Sequence, residues 1–145
     1  MANAFHVSLN VENISEATER YRKILGVEPA KVRADYAKFE LADPPVVLSL
    51  NLGGAPGTVG HLGIRRADPA AVAAELKRAT HDALEPYSQE GVTCCYAKAD
   101  KFWVRDADGM AWEMYAFLAD AETHSEPASA PVAPAPAVKR GCCAA

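Results

Sequence analysis

One pattern restricts this chain more than any other, because it occurs twice. Phe5-His-Val-Ser-Leu-Asn-Val11 alternates, with Phe5, Val7, Leu9 and Val11 on one face and His6, Ser8 and Asn10 on the other, the period of a half-buried strand. Asn13-Ile-Ser-Glu16 then supplies an Asn N-cap with Glu at the third helical position. Ala17, Tyr21, Ile24 and Leu25 follow at helical spacing until Gly26 closes the segment. Strand-like runs come next, at about 31–34, 36–42 and 46–52. After the loop Gly53-Gly-Ala-Pro-Gly57 the order restarts. Gly60-His-Leu-Gly-Ile-Arg-Arg66 reads as a strand, Asp68 caps a helix with Pro69 at its first position, and Val72, Leu76 and Ala79 face inward. Strand-like pieces near 84–88 and 93–97 precede two strands, 101–105 and 110–117, that flank the hairpin turn Asp106-Ala-Asp-Gly109. His6 and His61, one in each first strand, stand 55 residues apart, as in a tandem duplication. The expected fold is α+β, with tandem βαβββ modules at about 1–53 and 58–118. Whether the modules pair within one chain or across a homodimer stays open.

At 145 residues, half of them hydrophobic, the chain has material for one core and therefore one domain, expected over 1–118. Residues 119–145 read as a Pro/Ala-rich disordered tail, with four prolines between Glu122 and Ala137, ending in the pair Cys142-Cys143. That second pair is either a tethered hook for a soft metal or a dispensable end. The formal charge of −4 and the lack of any Lys/Arg cluster longer than two residues argue against nucleic acid and anionic lipid as partners. No apolar run reaches 18 residues and no basic leader opens the chain, so a soluble cytoplasmic protein is expected. The four cysteines come as two adjacent pairs, unlike the spaced cysteines of a disulfide framework, and free thiols are expected.

His6 and His61 sit opposite the large apolar set of their strands, and Glu113 alternates with Trp112 and Met114 on the last one. All three are placed to converge on one concave surface. Two imidazoles and a carboxylate form a facial donor set suited to Fe(II), with Ni, Co, Mn or Zn as substitutes, and open positions for water or substrate. Taken singly, each histidine also reads as an ordinary hydrogen-bonded side chain; repeat-equivalent placement is what favours a metal. A glutamate beside Trp112 is costly to bury without a cation nearby. His81 and His124 read as solvated.

The strand histidines, the helix exit Tyr21-Arg-Lys-Ile-Leu-Gly-Val27 and the run Asp106-Ala-Asp-Gly-Met-Ala-Trp-Glu113 resemble the glyoxalase/bleomycin-resistance/extradiol-dioxygenase superfamily, the vicinal oxygen chelate proteins, from residue 5 to about 118. The resemblance implies that the paired modules form a cupped mixed sheet around a metal site, with ligands on their first and last strands. Where a four-ligand glyoxalase carries an acidic ligand at the end of its first module, this chain has Val47, Ser49 and Asn51. Three ligands remain, as in the dioxygenase and fosfomycin-resistance branches.

Cys94 and Cys95 are adjacent, so in a regular strand their side chains would point to opposite faces. For both to reach one atom the backbone must be irregular, and a flexible loop spanning about 91–100 is expected. Two close thiolates favour a thiophilic centre such as trivalent arsenic, Cd(II) or Cu(I); the plain alternative is that both cysteines are small apolar fillers. His6, His61 and Glu113 together with Thr93-Cys-Cys-Tyr96 resemble the bacterial carbon-arsenic lyases of the superfamily. That likeness implies Fe(II)- and dioxygen-dependent removal of the organic group from trivalent organoarsenicals such as methylarsenite, with Cys94 and Cys95 holding the arsenic. A moving loop would let the sulfurs capture substrate and carry it over the metal. Two other readings stand beside it: non-enzymatic sequestration of Cd(II) or arsenite by the thiols, and a fosfomycin-type thiol transferase. Tyr96, Trp103, Trp112 and Tyr115 are candidates for the walls of the cup, or for its core.

Overall fold

In a computed structural model of the chain, residues 2–124 are described. Cys142, Cys143 and most of the expected tail lie outside the described residues. The first module runs β1 (Ala4–Asn10), α1 (Ile14–Leu25), β2 (Lys31–Val32), β3 (Tyr36–Ala42) and β4 (Pro45–Asn51). The second repeats it as β5 (Val59–Arg66), α2 (Pro69–His81), β6 (Tyr87–Cys94), β7 (Ala97–Arg105) and β8 (Ala111–Asp120). The doubled βαβββ order and the α+β class are as expected. The largest boundary differences are that β2 is shorter, β6 occupies one long strand where two short pieces were read, β7 starts at Ala97 rather than 101, and β8 runs to Asp120 rather than 117.

Both helices start where side-chain caps allow it. Asn13 accepts from the Glu16 amide and Asp68 from the Ala71 amide, satisfying backbone donors that the first helical turn leaves without partners. Gly26 ends α1 in the left-handed region at φ 69°, a conformation that costs glycine nothing.

The eight strands form one curled mixed sheet in the order β2-β3-β4-β1-β5-β8-β7-β6. Each first strand runs parallel to the last strand of its own module, and β1 and β5 meet antiparallel, so the modules join within one chain. Two clusters pack on the outer face. Ile14 on α1 covers Phe39, Leu48 and Leu50, with Tyr21 and Leu25 alongside; Val72 and Ala79 on α2 cover Phe102 and Ala116. Phe39 and Leu50 are fully buried, each worth roughly 1.5–3 kcal/mol of transfer free energy. With their apolar alternates spent against the helices, the strands turn their polar alternates into the cup. This inner face is buried as well: Ser8, Ser49, Asn51 and His61 are all nearly inaccessible. Among the described residues no helix is long and apolar enough to cross a membrane.

Candidate metal centre and thiol pair

Strand register assembles the floor of the cup. His6 on β1 faces Gly63 on β5, and Gly63 faces Glu113 on β8. Because Gly63 has no side chain, the imidazole and the carboxylate can close over it; a Cβ there would lie 2.5 Å from the Glu113 carbonyl oxygen. His61, two residues earlier on β5, projects to the same face. One ligand-type atom from each of His6, His61 and Glu113 falls within 4.8 Å of the other two, and all three residues are buried. The two imidazoles stack with centroids 5.2 Å apart at 6°.

The electrostatics of this trio favour donor forms. Burial drives the His6 pKa down to about 3, against the opposing pull of Glu113, so its ring is neutral with a lone pair available. Burial pushes the Glu113 carboxyl up, but Lys101 first and then His61 outweigh it and hold the group well below the ordinary carboxylate range. Lys101 Nζ donates to Glu113 Oε1 at 3.0 Å, while Glu113 Oε2 lies 3.3 Å from His61 Nε2. Tyr115 Oη is 2.9 Å from His6 Nδ1, and Ser49 Oγ is 3.4 Å from His6 Nε2.

A metal ion fits these residues on one observation above the rest. Both ring nitrogens of His61 are buried and neither makes a well-formed hydrogen bond, Nε2 meeting only the Glu113 carboxylate at 3.3 Å, in an interior where an unsatisfied polar group costs about 1–3 kcal/mol. A cation accepting one nitrogen's lone pair, with Glu113 and neutral His6 as co-ligands, would remove that cost at the coordinated nitrogen. The N,N,O donor set is borderline-hard and suits Fe(II), Mn(II) or Zn(II).

The cysteines enter from above. β6 continues through Cys94 and β7 begins at Ala97, so only Cys95 and Tyr96 lie between them, with φ 52° and 59°. Two left-handed residues in succession make the tight turn that matches strand twist, and here neither is glycine. The expected flexible loop over 91–100 is therefore a β-hairpin, irregular at this turn, at a bulge between Gln89 and Val92 and at the Lys98/Ala99 register shift against β8. The turn does what a strand cannot: the Cys94 and Cys95 sulfurs face each other at 3.2 Å. Both residues line the same pocket as His6, His61 and Glu113, a cavity of about 560 Å³ that includes space open to solvent.

Contacts to the first module hold the turn across the mouth of the cup. Tyr96 Oη donates to Asp35 Oδ1 at 2.6 Å, and Lys31 Nζ donates to the Tyr96 carbonyl at 2.7 Å. His124, expected to be solvated, packs edge-on against Tyr36 and Tyr96, with centroids at 6.5 and 5.5 Å. Of the other aromatic residues, Trp103 stands as an inner wall 5.0 Å from His61, whereas Trp112 packs with Phe5 on the outer face. Lys101, Arg65 and Lys38 also line the cup and were not singled out from the sequence, and Ser49, named there only for lacking an acidic ligand, lines it with them. The signal for Lys101 was present, since it alternates with Phe102 and Val104 in the same way that Glu113 alternates with Trp112 and Met114.

Residues 4–114 match the sequence pattern of the Glyoxalase/Bleomycin resistance protein/Dioxygenase superfamily. A trivalent organoarsenical cleaving enzyme from Bacillus sp. (strain MD1) is 43% identical over 113 residues, 76% of this chain and 70% of that protein. Cadmium-induced protein CadI of Mycobacterium tuberculosis (strain ATCC 25618 / H37Rv) is 41% identical over 118 residues, 81% of this chain and 78% of that one. Among solved structures, homoprotocatechuate 2,3-dioxygenase from Arthrobacter globiformis shares the fold with a TM-score of 0.63 at 16% identity, covering 84% of this chain and 38% of the dioxygenase. Doubled modules, a curled sheet around buried histidines and a sequence match over most of the described residues lead to one assignment: this chain belongs to the glyoxalase/bleomycin resistance protein/dioxygenase superfamily.

Proposed function

We propose that this protein cleaves the carbon–arsenic bond of trivalent organoarsenicals, methylarsenite and aromatic arsenites among them, releasing inorganic arsenite with Fe(II) and dioxygen. The observation that carries the reading is the shared pocket, where a buried His6–His61–Glu113 set and the facing sulfurs of Cys94 and Cys95 line one cavity. The 43% identical relative named as a trivalent organoarsenical cleaving enzyme supports it.

In this reading the two cysteines bind arsenic by exchange. Each thiol proton leaves with one arsenic-bound hydroxyl as water, so two As–S bonds form and the organic group stays on arsenic. Bound iron would supply one-electron activation of dioxygen, chemistry that protein side chains alone do not offer. His6, His61 and Glu113 would hold it, Lys101 keeps the Glu113 carboxylate ionised, and the apolar wall of Trp103 excludes water from that side. Loading the thiols would require the turn to lift, which breaks the Tyr96–Asp35 and Lys31–Tyr96 contacts. The site stands in the cytoplasm in this proposal, where thiols stay reduced.

The test is direct. Protein with reduced thiols, loaded anaerobically with Fe(II), should release arsenite from methylarsenite when air is admitted; intact methylarsenite after that step ends the proposal. The likeness to a cadmium-induced protein favours one second reading, thiol sequestration of Cd(II) or arsenite without turnover. Undiminished protection of cells by Glu113→Ala would select it.

A further inference from the structure

Three cations line the cup, and two of them have no part in the chemistry proposed above. Lys101 is committed to Glu113. Arg65 and Lys38 both lean on Glu40, at 2.7 and 3.1 Å, so a single carboxylate serves two positive side chains. Lys38 extends from β3 across the cup until its ammonium lies 5.7 Å from the ring centroid of Phe117 on β8, the opposite wall. Only 14% of that side chain is exposed. A cation in so enclosed a place, half-balanced and lying over an aromatic face, is expensive unless something else offsets it.

We infer that Lys38, with Phe117 and Tyr36 beside it, forms a subsite for an anionic substituent on an aromatic organoarsenical, and that Lys38 makes the pocket prefer such substrates over neutral ones. The inference rests on the proposed function for its arsenical and adds the choice of organic group. Arsenic held by two sulfurs is neutral at that centre, and the organic group is the only part of the molecule left to extend along the cavity. The cavity that receives it is walled by Tyr36 and Phe117, both lining the same pocket as the cysteines. A planar ring matches these walls, and a carboxylate on the ring matches the charge that Glu40 leaves uncompensated. Methylarsenite reaches none of these groups and would gain nothing from Lys38.

The test compares para-carboxyphenylarsenite with its neutral isostere para-carbamoylphenylarsenite, titrated anaerobically by calorimetry into the full chain with reduced thiols. The wild type should bind the carboxylate about tenfold more tightly, Lys38→Met should bring the ratio of the two affinities to within about twofold of one, and Lys38→Arg should restore the preference. A wild-type ratio near or below one, or a preference that survives Lys38→Met, overturns the subsite. The parallel readout is arsenite release in air. If neither compound is cleaved while the Lys38-dependent preference persists, the cleavage reading fails and the subsite stands; if both are cleaved at equal affinity, the subsite alone fails.

Discussion

Ser8, two residues beyond His6 on β1, faces Ser49 on β4, whereas Gly63, two residues beyond His61 on β5, faces Glu113 on β8. One strand further out, Lys38 faces Ser49 and Trp103 faces Glu113. The two modules therefore superimpose position by position, yet Ser49 is the counterpart of Glu113, Ser8 of Gly63, and Lys38 of Trp103. Duplication accounts for a pair of equivalent histidines on adjacent antiparallel strands. Divergence at the third position accounts for the rest: the second module contributes a carboxylate and the first a hydroxyl 3.4 Å from His6 Nε2. The side of the cup belonging to the first module is consequently poor in metal donors and rich in groups suited to holding a ligand.

The largest expected effect tests that asymmetry at its centre. Glu113→Gln keeps the shape of the side chain and an oxygen for Lys101 but removes the charge, and should weaken Fe(II) binding more than about 100-fold, beyond the ~10–100-fold that loss of an outer-shell partner produces. Ser49→Ala should stay within about threefold. Competition against a chromogenic chelator under anaerobic conditions measures both, and similar losses in the two variants would mean that the modules share the ion more evenly than their side chains suggest. Ser49→Glu sharpens the point by restoring the missing acidic position: tighter binding, with arsenite release lost as the open side closes.

Much of this arrangement was legible from alternation alone. Period two assigns His6, His61 and Glu113 to faces, and Asn13 and Asp68 announce the helices that claim the opposite faces. Alternation does not say which residues on neighbouring strands stand side by side. Lys101 and Tyr115 face each other across β7 and β8 in a register that shifts at Lys98/Ala99, and nothing local to either residue encodes that shift. Their roles beside Glu113 and His6 emerge only when the strands are paired. The cysteine turn was hidden for a different reason. A two-residue hairpin with left-handed backbone is signalled by Asn-Gly or Asp-Gly, and here the positions hold Cys95 and Tyr96, so only the chemical requirement that both sulfurs meet pointed to an irregular backbone. That backbone stores strain, of order 1–3 kcal/mol per left-handed residue, offset in part by the contacts of Tyr96 with Asp35 and Lys31.

The next effect comes from making the modules more alike at Gly63, whose counterpart Ser8 carries a side chain. Among the described residues Gly63 is the one glycine whose added Cβ would strike backbone inside the site, 2.5 Å from the Glu113 carbonyl and 3.2 Å from its Cβ. Backbone cannot swing aside as a side chain does. Gly63→Ala should force β5 and β8 apart and cost about 2 kcal/mol by urea denaturation, in the range of overpacking substitutions. Iron affinity should fall with it, because Glu113 rides on the displaced strand. An unchanged unfolding midpoint would show that the sheet relaxes freely at this point and that glycine is not what lets His6 and Glu113 close over β5.

The smallest effect concerns the partner that orients His6. By register Tyr115 is the counterpart of Asn51, which donates to Ser8 and Ser49 and does not bond to a histidine. Tyr115 instead places its hydroxyl 2.9 Å from His6 Nδ1, and burial raises its pKa well above the ordinary phenol, so it stays protonated at every working pH. A neutral imidazole with Nδ1–H donating to that oxygen presents Nε2 as the lone-pair donor, the tautomer a metal needs. Tyr115→Phe removes this preference but leaves the ring stacked on His61 and enclosed by the sheet. Fe(II) affinity should therefore drop by about tenfold, the low end of the outer-shell range, with the unfolding midpoint nearly unchanged. A loss as large as that of Glu113→Gln would mean that the phenol positions more than one imidazole, and no loss at all would mean that burial and stacking suffice to set the tautomer of His6.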